Sequence, residues 1–168
     1  MKRHLLIISV LLGVALSGCG QPAAVEDPTP ITTETDAGEI TVRGLFVVAP
    51  LGGRDVTSGG GEVTISGDGE IKLVEAHSPI ARSVELHTHS AENGVMQMRQ
   101  VQSFAVTADH GLVLGPGGPH LMLFGVQDGV SPGDVTEITL VFEQENGETK
   151  SMTLEAEVHD FSAVGRGS

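Results

Sequence analysis

From Ile40 onward, apolar and polar positions alternate in short runs separated by glycine, proline or Asx turn residues. Period-two runs of this length are the mark of half-buried β-strands. They predict strands over Ile40 to Pro50, Glu62 to Ser66, Ile71 to Glu75, Ser83 to His89, Val95 to Val106, Leu112 to Leu114, His120 to Phe124, Val135 to Glu143 and Thr149 to Val158. Turns are expected at Gly59-Gly60-Gly61, Gly67-Asp68-Gly69, Glu92-Asn93-Gly94, Asp109 to Gly111, Gly115-Pro116-Gly117-Gly118-Pro119, Val130 to Asp134 and Asn146-Gly147. The first two strands are compatible with a hairpin about the triple glycine. Many short strands with Gly/Pro turns and no internal repeat predict an all-β domain, a Greek-key barrel or sandwich. The alternation also sorts side chains by face: Val84, Leu86 and Thr88 oppose Ser83, Glu85, His87 and His89, while Met96 shares a face with Met98 and His120 with Met122.

Upstream, the pattern changes. Lys2 and Arg3 precede an apolar run from Leu5 to Leu12 that continues to Leu16 and ends in small residues before Cys19. This is the layout of an export signal, and it falls short of the roughly 20 apolar residues a spanning helix needs. Leu16-Ser17-Gly18-Cys19 resembles the bacterial lipobox, in which the cysteine is lipidated and becomes the first mature residue. The following stretch to Gly38, with three prolines and no apolar periodicity, reads as an extended tether. The expected organisation is a signal peptide over 1–18, a lipid-anchored tether over 19–38, one domain over 39–162 and a short tail over 163–168. The chain is therefore expected in the bacterial cell envelope, periplasm-facing and anchored in the inner or outer membrane.

Composition narrows the function. The chain of 168 residues has 39% hydrophobic residues, 23 glycines, five phenylalanines and neither Trp nor Tyr, which suits one aliphatic β-core. A formal charge of −13 spread over the surface excludes nucleic acid as a partner. Cys19 is the only cysteine, so the folded domain has neither a disulfide nor a thiolate ligand. A blue-copper electron-transfer site, which needs that thiolate, is thereby disfavoured. No nucleophile with a base, no paired carboxylates and no hydrolytic metal motif are recognisable, so an enzyme is not expected.

What is left is a set of imidazoles and thioethers. Imidazole binds many first-row metals, whereas a neutral, polarizable thioether favours Cu(I) over zinc, calcium or magnesium. His87, Met98, His120 and Met122 form such a mixed set, and His120 and Met122, one residue apart on a strand, project from one face. Each alone reads as packing or as a surface residue; their combination points to copper. His89 is read first as a surface histidine and second as an auxiliary donor. Met96 competes with Met98, since strand geometry does not separate two residues of one face. His77, His110 and His159 carry no motif support.

The order His, ten residues, Met, twenty-one residues, His, one residue, Met resembles the signature of the PCu(A)C periplasmic copper chaperones. So do the flanking segments Val84-Glu85-Leu86-His87, Gly94-Val95-Met96-Gln97-Met98-Arg99 and Pro116-Gly117-Gly118-Pro119-His120-Leu121-Met122-Leu123. The similarity spans about residues 40 to 160. It implies a cupredoxin-like β-barrel holding one Cu(I) through His87, Met98, His120 and Met122, with His89 and Met96 as auxiliary candidates. It also implies delivery of copper to an acceptor protein, such as the copper subunit of cytochrome c oxidase or a Sco-like protein; the chain is expected to be a monomer. The alternative is a lipoprotein that buffers copper without a dedicated acceptor. The stretch Val42 to Ser66 departs from the family in lacking its usual Trp and Tyr positions and the Asn that ends the second strand, where Ser66-Gly67 stands, which bears on packing and partner recognition more than on the ligands.

Overall fold

A computed structural model of the chain describes residues 30–92 and 95–164. The expected signal peptide, Cys19, most of the tether, the tip of the Glu92-Asn93-Gly94 turn and the end of the tail lie outside the described residues.

Among the described residues eleven strands form: β1 (Ile31–Thr35), β2 (Gly38–Val48), β3 (Val56–Ser66), β4 (Glu70–His77), β5 (Ser83–Glu92), β6 (Val95–Gln100), β7 (Phe104–Thr107), β8 (Leu112–Leu114), β9 (His120–Phe124), β10 (Val135–Gln144) and β11 (Thr149–His159). One short helix, α1 (Phe161–Val164), follows. Seven strands close a barrel in the order β2, β11, β10, β4, β5, β9, β3 and back to β2. The β2–β11 pair is parallel and the other pairs are antiparallel.

Alternation explains the core. On β10, Ile138, Leu140 and Phe142 point inward, and on β11 Met152, Leu154, Ala156 and Val158 do so, with Thr139, Val141, Thr153, Glu155 and Glu157 between them. Phe142 is fully buried among Ile40, Val63, Ile71, Leu73, Leu121, Leu123 and their neighbours. On β4 the inward phase slips from Ile71 and Leu73 to Ala76. A bulge against β10 takes up the odd residue: Phe142 faces Leu73, whereas Val141 faces Glu75.

Three expectations change. Gly59-Gly60-Gly61 is no turn but part of β3, and the β2–β3 hairpin turns earlier, where Arg54 donates to the Leu51 carbonyl at 3.2 Å. The glycines serve close approach instead: a Cβ on Gly60 would sit 2.2 Å from the Leu114 carbonyl oxygen and 2.7 Å from Phe46 Cζ. The single strand expected over Val95 to Val106 is two, because its first part pairs with β5 and its second with β4. Between them Val101 donates to the Leu86 carbonyl at 2.8 Å as the chain crosses from one strand edge to the other. Lastly, Ile31–Thr35, placed in the tether from sequence, is a strand paired with β2, so the folded unit starts ahead of residue 39. It is an edge strand with most side chains in water, so its β-branched residues leave no inward–outward alternation to read.

Candidate metal centre

The loop before β9 is built of glycine and proline. Gly115 N–H donates to the Pro119 carbonyl at 2.7 Å, and Gly117 turns the chain at φ 83, a left-handed conformation that glycine adopts freely. β9 then runs between β3 and β5. Leu121 and Leu123 fill the barrel core, which leaves His120, Met122 and Phe124 on the outer face. Across the β5 boundary His120 lies opposite His87 and Met122 opposite Glu85. β5 extends past this pairing to β6, where His89 lies opposite Met98 and His87 opposite Gln100.

The four expected donors and His89 thus share one outer face of the three strands β6, β5 and β9. The His87 and His120 ring centroids are 6.0 Å apart, and the His89 and His120 rings stack at 5.0 Å with 28° between planes. His89, Met98, His120 and Met122 line a cavity of about 460 Å³ whose other walls include Phe46, Leu51, Val56 and Phe161. His87 is not part of that lining, and its side chain is 13% exposed. Met96 lies one pair further along the hairpin, opposite Ala91, largely exposed and away from the cavity. His77 and His110 are exposed, and His159 stacks on Phe46 with centroids 5.7 Å apart.

The nitrogens of the three central histidines can be accounted for one by one. His87 Nε2 is 2.9 Å from Glu85 Oε2. A carboxylate only accepts, so Nε2 carries the proton and Nδ1 keeps its lone pair. That Nδ1 is buried with no hydrogen-bond partner, as is Nδ1 of His89. A buried polar atom left unpaired costs about 1–3 kcal/mol, which a metal ion would remove. His120 donates from Nδ1 to the Gly118 carbonyl at 2.9 Å, which leaves its Nε2 as the base. An imidazole tied through one nitrogen presents the other in a fixed orientation, the usual arrangement around a metal. Alternation assigns no role to Glu85, although it puts that residue on the face of His87 two residues away. The same is true of Phe124, whose ring centroid is 6.1 Å from that of His87.

Among the described residues, no three His, Cys, Asp or Glu side chains gather to hold a metal ion by themselves. The same face carries the thioethers of Met98 and Met122, softer and more polarizable donors than imidazole.

Burial holds the His120 pKa below its ordinary 6.5, opposed by the hydrogen bond to Gly118 and assisted by His89 and His87 nearby. The ring is therefore neutral and able to donate its lone pair at neutral pH. The unfolded chain binds this proton at a higher pH than the folded one, so stability is complete above 6.5 and is lost as pH falls through the window below it. Urea unfolding of the metal-free protein at pH about 7.5 and about 5 is expected to show a larger loss of stability in the wild type than in His120→Asn. Equal losses would show that His120 does not titrate differently on folding.

Comparisons with known proteins place the family and the fold. The family model described as "Putative lipoprotein LpqE-like" matches residues 40–158. A protein of Leifsonia xyli subsp. xyli named "Putative lipoprotein Lxx21020" is 32% identical over 167 residues, covering 98% of this chain and 93% of its own length. Among solved structures, the copper-bound PCuAC domain from PmoF2 superposes with a TM-score of 0.59 at 24% identity, covering 76% of this chain and 98% of that one. The Cu(I) form of DR1885 from Deinococcus radiodurans gives a TM-score of 0.54 at 28% identity, covering 79% and 84%. The expected cupredoxin-like barrel is therefore the observed fold, shared with PCuAC domains. In sequence and in fold, the chain belongs to the LpqE-like lipoprotein family, a PCuAC-like branch.

Proposed function

We propose that this protein is a copper-binding chaperone of the bacterial envelope, holding one Cu(I) through His87 Nδ1, His120 Nε2 and the thioethers of Met98 and Met122. The observation that carries the reading is the gathering of these side chains on one outer face, where a buried imidazole nitrogen has no protein partner. Two neutral imidazoles and two neutral thioethers leave the ion's charge unneutralised, which suits a monovalent ion. The likeness to copper-bound PCuAC domains supports the same metal. The cavity that opens onto Met98, His120 and Met122 supports exchange with an acceptor over permanent storage, because an incoming ligand has room beside the donors. Delivery to cytochrome c oxidase assembly, directly or through a Sco-like protein, fits this chemistry. So does a role confined to binding and transfer.

Among the described residues no helix is long and apolar enough to cross a membrane. We place attachment at a lipid on Cys19, in keeping with the lipoprotein names of the family and the Leifsonia relative.

The test is competition for Cu(I) against a chromophoric chelator. The purified wild type is expected to retain one ion per chain. Met98→Leu, which keeps volume but loses the thioether, should weaken retention by about tenfold or more, whereas Met96→Leu should stay within about twofold. A wild type that yields all its copper to the chelator, or a Met98→Leu variant that matches it, would rule the reading out.

A further inference from the structure

Five potential donors occupy the outer face where four complete the proposed site, and the fifth, His89, is placed as a ligand would be. Its Nδ1 is buried and has no hydrogen-bond partner. Its ring stacks on His120 at 5.0 Å, closer than His87 at 6.0 Å. It lies directly opposite Met98 in the β5–β6 pairing, whereas His87 lies opposite Gln100 and meets Met98 only on the diagonal. Directly paired residues have Cβ atoms about 4.5–5.5 Å apart and diagonal ones about 7–8 Å, so Met98 is nearer His89 than His87. His89 also shares the cavity lining with Met98, His120 and Met122, and His87 does not.

A merely structural His89 would keep the stacking contact but leave its buried Nδ1 uncompensated, at a cost of about 1–3 kcal/mol. His87 is held differently, by Glu85 on one nitrogen and by direct pairing with His120. In the strand register His87 is paired directly with His120 and His89 with Met98.

We infer that His89 is a copper donor in its own right, so that two overlapping sets share Met98, His120 and Met122, one completed by His87 and the other by His89. The inference rests on the copper reading above and deepens it. With two interchangeable imidazoles, the fourth ligand can be exchanged while three stay bound, and the His89 set faces the cavity. No oxidation or reduction is involved; Cu(I) passes between two nitrogen lone pairs.

The experiment is a double-mutant cycle on the purified full chain, with His87→Asn, His89→Asn and the pair, each checked for intact far-UV dichroism and titrated with Cu(I) against a chelator. If His89 takes over when His87 is absent, His87→Asn should retain Cu(I) within about tenfold of wild type. Adding His89→Asn to that background should then cost a further 100-fold or so, on the scale of losing a ligand that nothing replaces. In the His87→Asn chain, Cu(I) should also move the ¹⁵N resonance of His89 Nδ1. An unchanged affinity on adding His89→Asn to His87→Asn, or a motionless His89 resonance, overturns the inference while leaving the copper site standing. A wild type that takes no Cu(I) instead strikes down the reading beneath it.

Discussion

His120→Ala is expected to lose Cu(I) by about 100-fold or more while still folding, more than the 10–100-fold typical of removing an outer-shell partner. Three features make this the position of largest effect on binding. His120 belongs to both proposed donor sets, so neither His87 nor His89 can stand in for it. Its β9 strand is held on both sides, by β3 and by β5, and its Nδ1 is tied to Gly118, so its Nε2 is presented without reorganisation. And its side chain lies outside the barrel wall, on the face opposite Leu121 and Leu123, so truncation spares the core. Chelator competition measures the loss, and dichroism with urea unfolding verifies the fold. A folded His120→Ala chain that competes as well as the wild type would remove the site from this face altogether.

Gly60→Ala should produce the largest loss of stability from the smallest change, about 3 kcal/mol or more, at the upper end of what overpacking costs. The added methyl would overlap the Leu114 carbonyl oxygen at 2.2 Å and the Phe46 ring at 2.7 Å and 2.8 Å. Neither can yield cheaply. Leu114 belongs to β8, which pairs with β3 at Gly61, and Phe46 is pinned between its pairing with Gly60 and the ring of His159. Gly115→Ala is the matched control: a Cβ there meets nothing within 4 Å, so a change within about 0.5 kcal/mol is expected. Because β8 feeds the loop that carries His120, Gly60→Ala should weaken Cu(I) retention as well. Urea midpoints for the two variants that coincide would mean that the glycine run is spacing and not a packing requirement.

Most of the barrel was legible because its strands bury one face and wet the other. The β9, β10 and β11 runs need no tertiary information to be found, since Leu121, Leu123, Ile138, Leu140, Leu154 and Ala156 alternate with outward residues. β1 was not legible, because an edge strand in water buries too little to impose alternation. The glycine run misled for a physical reason: glycine marks a turn and a close backbone approach equally well, and only the neighbouring strand distinguishes them. Within the site, the alternation placed His87 with His89, Met96 with Met98 and His120 with Met122. It had no means of choosing between Met96 and Met98, which differ only in what lies across the sheet.

The sequence by itself determined the fold class, the faces on which the histidines and methionines lie and the softness of any metal they would hold, because alternation and donor chemistry are local properties. Tertiary structure decided the rest. Which residues stand opposite one another depends on register between strands distant in the chain: β5 meets β9 from 83 to 87 and β6 from 87 to 92. That register sets His87 beside His120 and His89 beside Met98, and closes the cavity with Phe46 and Phe161 from the two ends of the domain. No pattern along one strand encodes its partner's register, because pairing is chosen by the closure of the whole barrel and the burial of its shared core.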